Sequence, residues 1–387
     1  MTGGPFIDPG TASAEIDLAA FRANVSTIKA QVEPAAMMVV VKADGYGHGM
    51  LPCAQAARTA GASWLGVATP SEALAIREAG DTGRILAWLY GPDDDLAPLV
   101  AVDVDVSAQS IDQISRLAAA AGTVEQRARV HLKIDTGLSR NGAAVADWAE
   151  VCAAAAEAEQ SGALEVVGVW SHFAASDQPG HASVAIQLDA FQRAYEEARS
   201  AGLEPSVRHV ANSAAALLLP ETHLDLVRVG IAAYGIDPAP GVAALSGITL
   251  RPAMTLRAQL VNVKQLAAGS SVSYGWTWTA DQPTTVGLVP LGYGDGVPRH
   301  ASNRAQVGWH GGRAPVRGRI CMDQFVVDLG AGSSAEPGDE VRLFGPGDSG
   351  EPTAEDWADW CDTIGYEIVT RVGTRVPRRY LHATATA

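Results

Sequence analysis

Lys42 ends the apolar run MMVVV, and glycines follow it at 45, 47 and 49. Other basic and polar residues stand at the ends of comparable β-branched runs. Lys133 closes one, with Arg140 a little beyond it; His172 closes another; Asn212 and Ser213 follow a third; Arg228 precedes Gly230 and Ile231 in a fourth. An amine at the end of a buried strand is either solvated or held where burial disfavours its charge and leaves it nucleophilic. Taken singly, each residue favours the plain reading: a solvated lysine, a hydrogen-bonded core histidine. Five strand ends rich in Lys, Arg and His describe a cationic pocket, because buried cations without compensation are costly.

The elements that would position these groups follow from the apolar pattern. The runs are MMVVVK (37–42), SWLGVA (63–68), RILAWL (84–89), VDVDVSA (102–108), ARVHLKID (128–135), LEVVGVWSHF (164–173), VRHVAN (207–212) and LVRVGI (226–231). Several are continuously apolar, as strands buried on both faces are. Between them lie Ala-rich helical stretches such as 51–61, 70–80 and 188–202, each ending in a glycine suited to a helix C-terminus. Ser71 and Glu72 after Pro70 suggest one helix start. Eight strands alternating with helices predict an α/β fold, a (β/α)8 TIM-type barrel. An open doubly wound sheet is the alternative, but no GxGxxG loop follows the first strand. After about residue 245 the texture turns to short strands with Gly, Pro and Asp between them. The expected division is a barrel over 1–245 and a mostly β domain over 246–387, with PAPGVAALSG (238–247) at the boundary.

Composition narrows the function classes. The net charge of −15 argues against a general nucleic-acid surface. Cys53, Cys152, Cys321 and Cys361 form no CxxC pair and read as reduced thiols rather than a metal site. The opening MTGGPFIDPG lacks a basic region followed by an apolar one, and no apolar run reaches the ~18 residues of a membrane span. A cytoplasmic protein without membrane association is expected.

In such a barrel the carboxyl ends of the strands carry the chemistry, and loops after strands 7 and 8 often take phosphate. Here those loops offer the Ser213 hydroxyl and the backbone N–H groups of Gly230 and Ile231. Lys42 would lie across the same mouth. A phosphate site at one end and an aldehyde-reactive amine at the other fit pyridoxal 5′-phosphate, with Arg228 as the partner of the ring nitrogen.

The motifs VVVKADGYGHG, HLKIDTGLSRNG, WSHFAASD, HVANSAA, RVGIAAYG, SVSYGW, LGYGDG, RGRICMDQ, GYEIVT and RVPRRY follow in this order over nearly the whole chain. Together they resemble the alanine racemases, the fold-type III pyridoxal-phosphate enzymes. The resemblance implies Lys42 as the cofactor lysine and one base, and Tyr274 as the second base. It places Tyr46, Ser213, Gly230, Ile231 and Tyr366 at the phosphate, and Arg140 at the ring's phenolic oxygen. It sets His172 against the ring near Arg228, with Asn212 in the same shell. Lys133 looks like the lysine carbamylated in many members; Met322 would touch substrate; Tyr293 and Asp177 would stand near the entrance. Asn141 replaces an aliphatic residue expected after the arginine. In this family the second base comes from the other subunit, so a homodimer with shared active sites is implied.

Racemisation explains why two bases are wanted. Inverting a carbon requires removing a proton on one face and delivering one on the other, and a cationic pocket helps both lysine and tyrosine lose theirs. The family assignment implies interconversion of L- and D-alanine, with peptidoglycan as the destination of the D-isomer. Three rivals remain: a related enzyme for another or broader amino-acid range, such as serine; a non-catalytic pyridoxal-phosphate carrier; and a barrel without this cofactor. For His48 a structural hydrogen bond is expected, and the arginines of TRVPRRY read as a solvated or ion-paired tail.

Overall fold

The eight apolar runs are the eight strands of one parallel sheet. The computed structural model describes residues 10–383, so most of the opening segment, from which no signal peptide was expected, lies outside it. A strand ahead of the barrel, β1 (Ala12–Asp17), was not foreseen. The barrel strands are β2 (Ala36–Val40), β3 (Trp64–Val67), β4 (Arg84–Ala87), β5 (Asp105–Ala108), β6 (Ala128–Lys133), β7 (Leu164–Trp170), β8 (Val207–His209) and β9 (Leu226–Val229). From β2 to β8 each pairs with the next in chain order, and β2 also pairs with β9, with Met38 opposite both Trp64 and Arg228. Two backbone bonds bring β8 and β9 together, Asp225 N–H to the Arg208 carbonyl (3.2 Å) and Arg228 N–H to the Ala211 carbonyl (3.0 Å).

Local chemistry sets the helices. Asp17 accepts from the Ala19 and Ala20 amides and starts the helix Leu18–Val32. That helix turns Phe21, Val25, Ile28 and Val32 inward at helical spacing, all fully buried. Each contributes about 1.5–3 kcal/mol on burial. The helix Pro70–Glu78 starts one residue earlier than Ser71 suggested: Thr69 is the cap, and the Glu72 side chain returns to the Thr69 amide. A proline needs no donor partner in the first turn, which is why it sits inside the helix. The helix before β8 begins at Ser183, ahead of the expected 188. The boundary stretch 238–247 contains a short helix, Val242–Ser246.

The second sheet has nine strands among the described residues, and β1 lies in it. β1 pairs antiparallel with Met254–Gln259 on one side and parallel with Arg378–Leu381 on the other. Buried Asn24 fastens the first helix to the chain leaving the barrel: its amide donates to the Ala233 and Arg251 carbonyls, and its oxygen accepts from the Arg251 amide. Among the described residues no helix is long and apolar enough to cross a membrane. Cys53, Cys152, Cys321 and Cys361 are all free thiols.

The C-terminal arginines do not form a merely solvated tail. Arg375 pairs with Asp295 and Asp323, as an ion-paired residue would. Arg378 instead turns inward and donates to the carbonyls of Gly47 (3.0 Å), Val372 (2.5 Å), Gly373 (2.6 Å) and Val376 (2.8 Å). It rivets the loop after Lys42 to the end of the chain. Removing a charged donor strands these acceptors, so Arg378→Ala lowers stability by roughly 2–4 kcal/mol. Denaturant titration of the variant checks this; a loss within about 0.5 kcal/mol, the range of an ordinary surface change, would show that Arg378 is not a rivet.

Candidate active site

Lys42 stands just past the end of β2, not within it. The Val41 amide makes the last sheet-like bond, to the Gly66 carbonyl. The chain then enters a left-handed turn, with φ of 53°, 52°, 61° and 51° at Ala43, Asp44, Gly45 and Tyr46. Left-handed backbone costs a residue with a side chain roughly 1–2 kcal/mol. Several contacts offset that cost. Glu72 accepts from the Ala43 amide (2.7 Å) and Asp44 from the Met50 amide (2.9 Å). His48, wholly buried, donates from Nδ1 toward the Gly45 and Tyr46 carbonyls (3.1 and 3.0 Å). Burial first of all pulls the His48 pKa down to about 4, so the ring is neutral. Tyr234 packs on Tyr46 and on His48 and donates to the Val40 carbonyl.

Lys42 faces a cavity of about 670 Å³ at the carboxyl ends of the barrel strands. Lys133, Arg140 and Arg228 line it too, and none of its described lining residues carries a carboxylate. Burial lowers the Lys42 pKa, the Arg140 charge lowers it further, and Glu72 works against both. Burial and the charges of Arg228 and Arg140 bring Lys133 down to about 7. His172 is driven to about 2 by burial and then by Arg228, so it is neutral. Arg228 keeps its proton, as a guanidinium does, and is almost wholly buried. It donates to the Ser171, His209 and Val210 carbonyls (2.9, 2.9 and 3.3 Å) and to the Nδ1 atoms of His172 and His209, each at 3.1 Å.

Opposite Arg228 the cavity is shaped for an anion. The Gly230 amide donates to the Ser213 hydroxyl oxygen (2.9 Å), leaving that O–H free to turn outward. A Cβ on Gly230 would fall 2.4 Å from the Tyr46 hydroxyl oxygen, so only glycine allows this approach. Asn212 caps the helix Ser213–Leu218 through the Ala215 amide and accepts from Ser176. Ile231 and Tyr366 complete this end, with the Tyr366 and Tyr46 rings 6.3 Å apart. Hydroxyls and backbone donors at one end, with positive charge and amines elsewhere in the same cavity, suit an anionic aldehyde such as pyridoxal phosphate.

The family models for the N-terminal and C-terminal domains of alanine racemase match residues 16–238 and 253–380. The chain belongs to the alanine racemase family. The alanine racemase of Frankia casuarinae is 53% identical over 368 residues, 95% of this chain and 96% of that protein. That of Streptomyces coelicolor is also 53% identical, over 376 residues and 96% of each chain. The crystal structure of the enzyme from D-cycloserine-producing Streptomyces lavendulae superposes with a TM-score of 0.94 at 52% identity, covering 97% of this chain and 98% of that one.

Four residues that the family resemblance nominated stand outside the cavity of the single chain: Tyr274, Met322, Tyr293 and Asp177. Tyr274 is 71% exposed and Met322 53%, beside a 76% exposed Trp276. Tyr293 is exposed as well. Asp177 is exposed, and its charge adds to burial and Tyr46 in raising the Tyr366 pKa. Sequence reasoning missed Glu72, which anchors the Lys42 turn, and Trp170, whose face carries Lys133 (4.2 Å) and Arg228 (4.9 Å). Trp170 opens the WSHF motif, so its position, though not its role, was in view.

The depressed Lys133 pKa gives a signed test. Free lysine holds its proton to about 10.4, whereas Lys133 in the fold holds it only to about 7. Between those values the unfolded chain binds the extra proton, so this group makes stability rise with pH. In buffers purged of carbon dioxide, cofactor-free Lys133→Met gains stability over its parent at pH 6.5, and the gain shrinks toward pH 10. Urea titrations across that range measure it; a gain that does not change with pH would contradict the shift.

Proposed function

We infer that this chain interconverts L- and D-alanine with pyridoxal 5′-phosphate, using Lys42 and Tyr274 as opposed bases. The observation that carries the reading is the meeting of Lys42, Arg228 and the Ser213–Gly230 anion seat in one cavity without carboxylates. When bound, the cofactor draws electrons from the substrate's Cα and acidifies its C–H bond. Ser213, Gly230, Ile231, Tyr46 and Tyr366 hold its phosphate, and Arg140 its phenolic oxygen. Arg228 would meet the ring nitrogen with a donor it does not surrender, which would leave that nitrogen unprotonated. His172, neutral and bonded to Arg228, would lie against the ring, with Asn212 in the same shell. Lys42 carries the cofactor and moves a proton at one face of the substrate carbon; its lowered pKa suits that task near neutral pH.

Tyr274 serves the opposite face from a second copy of the chain. Its exposure, and that of Met322 and Trp276, supports a homodimer whose active sites are shared. Met322 and Arg140 contact substrate, while Tyr293 and Asp177 line the way in. Lys133 takes up carbon dioxide: its neutral amine forms an N–C bond as one C=O π bond gives way to an oxyanion, loses a proton, and becomes a carbamate whose charge the Arg228 and Arg140 guanidiniums favour. The barrel over 1–245 binds the cofactor, and residues 246–387 deliver the second base. A cytoplasmic enzyme that supplies D-alanine for peptidoglycan fits this chemistry.

Two measurements test the reading. Purified protein racemises L-alanine faster than L-serine or larger amino acids; good turnover of a larger substrate with none of alanine would overturn the substrate assignment. Lys42→Ala and Tyr274→Phe, each inactive alone, regain activity on mixing, because one hybrid site in the mixed dimer keeps both bases. No recovery, with subunit exchange demonstrated, would place both bases within one chain.

A further inference from the structure

A file of fully buried polar side chains runs down the barrel interior behind Arg228, and no step of the proposed reaction uses it. His209 Nε2 lies 2.9 Å from His131 Nδ1, and His131 Nε2 lies 3.1 Å from the Asp105 carboxylate. Asp105, His131 and His209 are wholly inaccessible to solvent. The far end is tied off by Arg84 and by Arg129 Nε, 2.7 Å from Asp105. Burial alone would favour the Asp105 acid, but the hydrogen bonds from His131 and Arg84 prevail and hold its carboxyl below the usual carboxylate range.

The order of donors along this file is forced. A guanidinium has no acceptor, so His209 Nδ1 must offer a lone pair to Arg228. Its single proton then sits on Nε2 and points at His131 Nδ1. That atom must accept, so the His131 proton sits on Nε2 and points at the carboxylate. Doubly protonated His131 would turn the His209 proton back against Arg228, donor against donor. Both rings are therefore neutral and all the dipoles run one way. Such a chain strengthens each bond in it, so His209 Nδ1 is a better acceptor than a lone imidazole. Trp170 stacks on the His209 ring at 7° and carries Arg228 on its face, which closes off other orientations. Among the described residues no acceptor engages the Arg228 Nε–H, and Arg228 lines the cavity.

We propose that Asp105, His131 and His209 are positioning residues that fix the Arg228 guanidinium, through a one-way donor chain ending on a carboxylate, so that its free Nε–H is presented to the cavity. The consequence for catalysis rests on the reading of Arg228 as the partner of the cofactor ring nitrogen.

His131→Leu cuts the file without touching the Asp105 ion pairs, whereas His131→Gln can accept from His209 and donate to Asp105. The first readout is nitrogen-15 NMR of the cofactor-free protein. In the parent, rotation of the Arg228 guanidinium is restricted and its Nη hydrogens, bonded to His209, His172 and backbone carbonyls, are slow to exchange. In His131→Leu that exchange speeds up at least roughly 10-fold, and in His131→Gln it returns to near the parent rate. Should His131→Leu not fold, His131→Asn, which reaches only one neighbour, takes its place. The second readout is the holoenzyme: kcat falls roughly 100-fold in the interrupted variant with KM little changed, the scale of a small misplacement behind the reacting groups. Parent-like Arg228 exchange in a folded, interrupted variant overturns the proposal. Faster exchange with unchanged kcat upholds the positioning chain and removes instead the assigned role of Arg228.

Discussion

The site depends on holding positive charge inside a cavity whose described lining carries no carboxylate. Burying a cation is expensive, and the fold meets the expense in two ways. Arg228 keeps its charge and is surrounded by carbonyl oxygens, imidazole lone pairs and the face of Trp170. Lys42 and Lys133 are instead made easier to deprotonate, by burial and by neighbouring guanidinium charges. The parallel barrel makes the arrangement feasible, because its strands aim their carboxyl ends at one mouth.

The same constraint explains the strained turn after Lys42. A right-handed helix there would carry the chain away from the anion seat; the left-handed turn brings Tyr46 back beneath Gly230. That conformation persists because its surroundings over-determine it. Glu72 holds one end, His48 the middle, and the β domain the far side, where a Cβ on Gly47 would lie 2.4 Å from the Val369 carbonyl. The site is therefore a property of both halves of the chain even before a second copy is considered.

Much of this was legible in the sequence. The barrel strands were readable because strands covered on both faces are continuously apolar. The cavity lining was readable because polar residues at the ends of such strands have one place to go. β1 was not: ASAEID alternates weakly, and its partners Leu256 and Arg378 lie hundreds of residues away. Arg378 resembled any tail arginine, since backbone carbonyls as partners leave no trace in composition. The buried file was half visible. Arg129, His131 and Lys133 alternate along β6 and so share one face, as do Asp105 and Ser107 on β5. Only the register of β5, β6 and β8 shows that these side chains meet.

The arrangement of β1 has a bearing on how the protein is made. Its residue Ala14 waits for Leu256 and then for Arg378, each made hundreds of residues after it. At about 5–20 residues per second, this leaves the opening strand without its neighbours for on the order of ten seconds to a minute. The barrel can gather meanwhile, but the loop after Lys42 lacks its Arg378 rivet until that residue has been made. A prematurely terminated chain could resemble the barrel and still lack a properly held Lys42. The strand Arg378–Leu381 thus joins β1 and the turn after Lys42 only once the long stretch of chain between them exists.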